Sequence, residues 1–244
     1  MTSRLATNPL PRRSGADDRP LLRDRIAVLL FAPVQAPWLL RSLWGGRRRD
    51  KARLLARLGL PADALPALGS WKADVGFLER IVHAIEALRP ATVVELGAGA
   101  STLVAACALK QSGVGRLHSY DQHDEFVRAT RDWLSSHGVR ADLRVAPLGT
   151  APPPWRGSWY QLSELPQSID LLIIDGPPWT VHPTVRGAAE TLFERVAVGG
   201  HVLLDDAARP GERLVARRWR RRWPNFSWRL ERGIKGTLVG VRLA

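Results

Sequence analysis

The sequence predicts an α/β protein: a doubly wound, largely parallel sheet of seven strands, finished by a C-terminal antiparallel hairpin. Three observations carry this expectation. Between residues 92 and 204, five short apolar runs alternate with helical stretches, the pattern of parallel strands joined by crossover helices. Four of those five runs end at or beside a carboxylate. Two last β-rich runs then follow each other with no helix between them, which pairs them antiparallel.

The elements follow in order. Residues 1–25 mix Arg, Asp, Pro and Ser without periodicity and are expected to form a poorly ordered arm. Residues 26–44, IAVLLFAPVQAPWLLRSLW, are the most apolar stretch of the chain. Its charge-free core, Ile26–Leu40, is shorter than the roughly 20 residues a spanning helix needs, and Pro33, Gln35 and Pro37 interrupt it. Arginines flank it, and Trp38 and Trp44 suit an interface. Three readings stand: a helix docked on its own domain, a segment lying in an anionic membrane surface, and an inserted or exported segment. Past Pro66, the residues Phe77, Leu78, Ile81, Val82, Ile85 and Leu88 keep helical spacing until Pro90. Strands are expected at Thr92–Leu96, Arg116–Tyr120, Ala141–Ala146, Ile169–Ile174 and His201–Leu204. Helices are expected at Ser101–Lys110, Asp124–His137, Thr184–Arg195 and Gly211–Arg222, and the hairpin at Phe226–Glu231 and Thr237–Leu243. The division that results is an N-terminal extension, residues 1–66, and one domain, residues 67–244.

Charge is distributed unevenly over the 244 residues. The formal charge is +13, yet residues 1–60 carry +9, residues 61–208 carry −5 and residues 209–244 carry +9. A uniformly basic nucleic-acid binder would not have an acidic middle. In the run Arg217-Arg218-Trp219-Arg220-Arg221-Arg222-Trp223, helical spacing puts Val215, Trp219 and Trp223 on one stripe and turns the arginines outward. This reads as a docked helix with a solvated basic face, with anionic lipid as the next partner and RNA last. The lone Cys107 lies among alanines and leucine and reads as a small buried hydrophobe, which excludes an intramolecular disulfide framework and suits a cytoplasmic protein, soluble or peripheral to the inner membrane face.

In open α/β sheets, ligands bind beyond the carboxyl ends of the strands, where strand order reverses. The residues there are Glu95-Leu96-Gly97-Ala98-Gly99, then Asp121-Gln122-His123, then Asp175-Gly176-Pro177-Pro178, and finally Asp205-Asp206. An acid about 20 residues after a Gly-x-Gly turn suits a ribose diol. A nicotinamide dinucleotide fits less well, because Thr102 stands where its fingerprint wants a third glycine and Glu95 would face a pyrophosphate with the wrong sign. No G-K-[ST] follows for a P-loop. A cationic, phosphate-free ligand matches better. S-adenosylmethionine (SAM) has a sulfonium, an ammonium and one carboxylate, which backbone N–H groups near Gly97–Ser101 can hold.

The stretch Glu95-Leu96-Gly97-Ala98-Gly99-Ala100-Ser101-Thr102-Leu103 resembles the opening of class I SAM-dependent methyltransferases, whose fold is Rossmann-like, and in particular the bacterial group labelled methyltransferase domain type 24. The similarity continues through Ala146-Pro147-Leu148, Trp159-Tyr160, Ile169 to Pro178, Leu203-Leu204-Asp205-Asp206-Ala207, Arg209 to Arg213 and Lys235-Gly236, so it spans about residues 68–244. The resemblance implies a cofactor-binding set of Glu95, Gly97, Ala98, Gly99, Ser101, Thr102, Asp121 and Gln122, with Asp121 on the ribose. It implies that Asp175 faces the transferred methyl group. It also implies that Asp175, Asp205 and Asp206 stand where related O-methyltransferases hold a divalent cation such as Mg²⁺. One departure concerns the acceptor side: Val185-Arg186-Gly187-Ala188 replaces the group's Ala-Arg-Tyr-Pro, so the tyrosine is missing.

The expected activity is therefore methyl transfer, to an oxygen of a small molecule, sugar or glycan precursor. Asp175 is the first candidate to take the acceptor's proton, and His182, in the loop Trp179–Pro183, is the second. Each has a plainer alternative. Asp175 can cap a strand end, Asp206 can cap the next helix and His182 can be an exposed loop histidine. His123 can border the adenine or sit in a solvated loop, and Trp159 and Tyr160 can stack on adenine or acceptor or wedge a Pro/Gly-rich loop. A non-catalytic protein of the same fold, binding an anionic membrane surface or nucleic acid through its basic ends, stays open as the second reading.

Overall fold

The computed structural model describes residues 22–244. The arm expected over residues 1–25 lies, up to position 21, outside the described residues, and from Leu22 onward the chain is helical. Helix α1 (Leu22–Ser42) runs through Pro33 and Pro37. Both prolines are exposed, so the carbonyls deprived of an N–H partner open to water rather than into a core. Among the described residues no helix is long and apolar enough to cross a membrane.

Helix α2 (Arg48–Arg57) has no counterpart among the sequence expectations. Its charged residues hide a short apolar edge: Leu54 and Leu55, with Leu58, Ala64 and Leu65, join the core under helix α3 (Val75–Leu88). Packing is thus continuous across residue 66. Asp74 starts α3 by accepting a 2.7 Å hydrogen bond from the Phe77 N–H.

Then come β1 (Thr92–Leu96), α4 (Ala100–Ser112), β2 (Arg116–Asp121), α5 (Asp124–Ser136) and β3 (Asp142–Val145). A small separate hairpin follows, β4 (Leu148–Thr150) and β5 (Ser158–Tyr160), antiparallel and hydrogen-bonded to each other. The chain returns through β6 (Ile169–Ile174), a 3-10 helix (Val185–Arg195), β7 (Val196–Leu204), α6 (Pro210–Arg222), β8 (Phe226–Glu231) and β9 (Thr237–Arg242). β7 starts five residues earlier than expected. Val196 pairs with Ile169, and a register shift separates this pair from the regular pairing that begins at His201.

The seven-stranded sheet has the order β3-β2-β1-β6-β7-β9-β8, with β3 to β7 parallel and β9 and β8 antiparallel. Strand residues alternate between two cores, as a pleat with both faces covered requires. Val93, Leu171, Ile173, Leu203 and Val239 face α3, α4 and α5. Val94, Leu96, Leu172, Ile174, Val202, Leu204 and Leu238 face the 3-10 helix, α6 and the small hairpin. On that second face Phe193 meets Trp219, Trp223, Phe226 and Trp228 at ring-centroid distances of 4.9 to 5.5 Å. Trp219 is fully buried, and Arg217, Arg220 and Arg221 point to solvent, as the stripe on α6 requires.

The order of strands reverses between β1 and β6. There the turns after the two strands touch backbone to backbone: a Cβ on Gly97 would lie 2.7 Å from the Gly176 nitrogen, and Gly97 has φ +93°. Only glycine meets both demands. Gly97→Ala is therefore expected to lower stability by about 3 kcal/mol or more, strain and overpacking together. Gly113→Ala, also at positive φ but with nothing within 4 Å, should cost about 1 kcal/mol. Urea unfolding of the two variants separates contact from conformation, and equal losses would reject the contact argument.

Candidate functional site

The carboxyl ends of β1, β2, β6 and β7 converge beside this glycine contact. Under the first turn lies Glu95, wholly buried. Its carboxyl accepts hydrogen bonds from the Thr102 hydroxyl at 2.7 Å and the Ser119 hydroxyl at 2.5 Å. Burial pushes its pKa up to about 7, the hydroxyls of Ser119 and Thr102 pull it down, and the Asp175 charge adds to the rise. Thr102, in the place of a third glycine, has a job of its own. Its Oγ1 accepts from the Gly99 N–H at 2.8 Å while donating to Glu95, so it ties the turn to the start of α4.

Asp121 closes the other side of the turn. Its two carboxyl oxygens accept from the Ala98 N–H at 3.2 Å and the His123 N–H at 3.1 Å. Gln122 and His123 are buried against each other, with the Gln122 amide 3.1 Å from His123 Nε2. The solvated-loop expectation for His123 therefore does not hold, because α5 begins at Asp124 and folds this turn inward. Ser101 is buried in the first turn of α4.

Asp175 follows β6 and is the least enclosed of the acids, its side chain 11% exposed. Arg186 fastens its main chain, donating to the Asp175 carbonyl at 2.5 Å and to the Pro177 carbonyl at 3.1 Å. The same guanidinium reaches Asp206 Oδ2 at 3.0 Å and stands 3.6 Å from Asp175 Oδ1. Arg209 bridges Asp206 Oδ2 at 2.7 Å and Glu212 Oε1 at 2.8 Å. From the turn between β8 and β9, Lys235 brings its ammonium within 3.3 Å of Asp206 Oδ1 and 3.6 Å of Asp205 Oδ2, and donates to the Lys72 carbonyl at 2.7 Å. Asp206 caps no helix. It has φ +58°, a left-handed conformation that costs energy, and α6 begins only at Pro210 without a side-chain cap.

Asp175, Asp205 and Asp206 each offer an oxygen within 4.8 Å of the others, the spacing of a three-carboxylate metal site. The oxygens are already engaged, however: the Lys235 ammonium stands 3.3 Å from Asp206 Oδ1 and 3.6 Å from Asp205 Oδ2, and Arg186 and Arg209 hold Asp206 Oδ2. A divalent cation would have to displace these buried cations from the same oxygens. Burial alone would raise Asp206, but Arg209, Lys235 and Arg186 outweigh it and hold this carboxyl well below the usual range. Burial, then the Asp206 charge, raises Asp205 well above the usual carboxylate range.

His182 is buried rather than exposed. Its Nδ1 accepts from the Thr184 N–H at 3.2 Å, which leaves the proton of the neutral ring on Nε2. Burial lowers its pKa, Asp24 on α1 raises it and Arg156 lowers it further. The ring is thus a neutral donor, and its one lone pair is already engaged. Trp159 and Tyr160 belong to strand β5 and are buried, and Tyr160 brings its hydroxyl against Gly176, where a Cβ would sit 2.2 Å away. The missing tyrosine also has a physical reason. A Cβ on Gly187 would fall 2.1 Å from the Trp155 ring, so that indole fills the space. Trp155 is held there by a 2.8 Å bond to Glu190 and by Arg218 stacked at 4.8 Å.

Sequence reasoning named the acids, the glycines and Tyr160 but missed Lys235 and Arg209 as neighbours of the site. Lys235-Gly236 was visible only as part of a resemblance, since a lysine between two strands looks like a solvated turn. An open groove lined by Lys110, Gly115, His118, Arg140 and Asp142 lies at the amino ends of the strands, the far end of the sheet from these acids.

Residues 94–207 match the family model of a methyltransferase domain. Among curated proteins none matches the chain. Similar solved structures include an O-methyltransferase from Bacillus cereus in complex with S-adenosylhomocysteine (SAH), with TM-score 0.54 and 15% identity over 90% of this chain and 98% of that one. TomG, an O-methyltransferase from Streptomyces achromogenes in complex with SAM, gives 0.51 and 15% over 91% and 98%. An SAH-bound methyltransferase from Podospora anserina gives 0.55 and 12% over 88% and 96%. At these identities the structures establish the fold, and the family model locates the methyltransferase domain in the middle of the chain.

Removing one partner from a buried ion cluster leaves an uncompensated charge. Lys235→Met is therefore expected to cost about 3–5 kcal/mol, and adding Asp206→Asn, which removes the ionised partner, should restore part of it. Neither Mg²⁺ nor chelator should move the wild-type unfolding midpoint, because a cation bound by the folded chain would raise it. A midpoint raised by Mg²⁺ and lowered by chelator would contradict the placing of the Lys235 ammonium on these oxygens.

Proposed function

We propose that this class I SAM-dependent methyltransferase transfers the methyl group to an oxygen of a small hydroxylated acceptor, a sugar or glycan precursor being of this class, without a divalent cation. The observation that carries the reading is the turn at the switch point. A buried acid, Glu95, lies beneath the turn Gly97–Gly99, which packs against Gly176, with Asp121 on one side and Asp175 on the other. Negative charge without a phosphate cradle favours a cationic donor.

In this reading the N–H groups at the start of α4 hold the donor's carboxylate, as helix N-termini do. The Asp121 oxygens accept from the ribose hydroxyls. Glu95 acts through space, its ionised form favouring the donor's positive charge. SAM supplies an activated methyl group, so the protein's task is chiefly alignment. Asp175, the most open carboxylate, sits to accept the acceptor's proton as the oxygen attacks. Arg186 fixes the backbone from which Asp175 projects, and His182 offers an N–H to orient the acceptor. The Lys235 and Arg209 side chains hold Asp205 and Asp206 in the place of a metal. The naming of two similar structures as O-methyltransferases supports oxygen as the acceptor atom.

Calorimetry tests the cofactor assignment directly. Wild-type protein should bind SAM and SAH, and Asp121→Ala should bind each roughly tenfold to hundredfold more weakly, the loss of one or two hydrogen bonds to a charged group. No SAM binding by the wild type would overturn the proposal.

The pKa of Glu95, raised to about 7, gives the pH dependence its sign. Below that value the acid is neutral and contributes no attraction, and above it the charge is complete. SAM affinity should therefore climb with pH and level off above about 7, at no more than about tenfold per pH unit. Glu95→Gln should show a flatter profile over the same range. Identical profiles for the two proteins would remove Glu95 from the electrostatics of binding.

A further inference from the structure

Helix α1 turns a row of large apolar side chains to solvent. Leu22, Leu29, Leu30 and Leu40 are each 70 to 73% exposed, and Ile26 and Val34 lie on the same side, spaced at i, i+4, i+7 and i+8. The polar residues Asp24, Gln35 and Ser42 are the ones turned inward and buried. Leu43, Trp44 and Trp71 continue the exposed apolar side beyond the helix. A helix on the surface of a soluble protein turns its apolar stripe to the core, and surfaces rarely leave so many large apolar side chains contiguous.

The charges around this face say what it meets. Arg25 and Arg41 are exposed at its edges, and Arg47, Arg48 and Arg49 are exposed just past its end. The neighbouring helix α6 touches α1 and adds outward Arg217, Arg220 and Arg221. Against a second copy of the chain these arginines would repel one another. Against anionic headgroups they attract, with exposed tryptophans at the level where indoles settle. We propose that the outer face of α1 lies in the interface of an anionic lipid bilayer, apolar side chains inserted and arginines on the headgroups, as a peripheral helix. Asp24, on the inner face, is in electrostatic range of His182, so the docking face backs onto the loop that follows β6.

Sedimentation of the full chain with phosphatidylcholine vesicles, with and without phosphatidylglycerol, tests this. Binding is expected only with the anionic lipid and should weaken at high salt. Leu29→Glu combined with Leu30→Glu should reduce it by roughly tenfold or more, while circular dichroism and SAM calorimetry stay at wild-type values, because both side chains are already in solvent. Absence of binding to anionic vesicles, or wild-type binding by the double variant, would overturn the proposal. So would a dimer on size-exclusion chromatography that the double variant dissociates without any vesicle binding, since that assigns the face to a second copy.

Discussion

The site depends on a contact between two stretches of backbone. Gly97 and Gly176 leave the carboxyl ends of adjacent strands at the point where strand order reverses, and no side chain fits between them. This closeness has two consequences. It brings Glu95 on β1 and Asp175 after β6 together at one end of the sheet, and it sets the start of α4 directly beside them. Thr102 and Asp121 then hold the turn in place, from below and from the side.

Charge balance shapes the rest of the site. Burying Asp205, Asp206 and Glu212 under the carboxyl end of β7 would be prohibitive without partners. The chain draws its partners from three separate segments: Arg186 from the 3-10 helix, Arg209 from the start of α6 and Lys235 from the last hairpin. The cluster therefore ties the antiparallel end of the sheet to the parallel part. A lysine ammonium placed where a metal would sit exchanges an exchangeable ion for a covalent one. Asp175 lies at the rim of this cluster and keeps the most open position, which suits a group that must meet an acceptor.

Much of this was legible in the sequence because periodicity and turn chemistry are local. The alternation of Val93 and Val94, or of Leu171 and Leu172, between two cores follows from a pleat covered on both faces, and the carboxylates at strand ends could be counted directly. What the sequence hid depends on distant pairs. Lys235 sits in a turn and looks solvated until β9 is seen beside β7. Gly187 looks like a lost tyrosine until Trp155, 32 residues earlier, is found in the space. Helix α2 carries so many charges that its two buried leucines leave no readable pattern, and the outward apolar face of α1 inverts the rule by which helices are recognised.

The central claim is that the opening between Gly97, Asp121 and Asp175 is where the methyl donor lies, and a crystal structure with SAH tests it most directly. The account predicts its amino-acid end over Gly97–Ser101, its ribose on Asp121, its sulfur toward Asp175, and Lys235 still between Asp205 and Asp206. SAH bound elsewhere, or a divalent cation in place of the Lys235 ammonium, would contradict it.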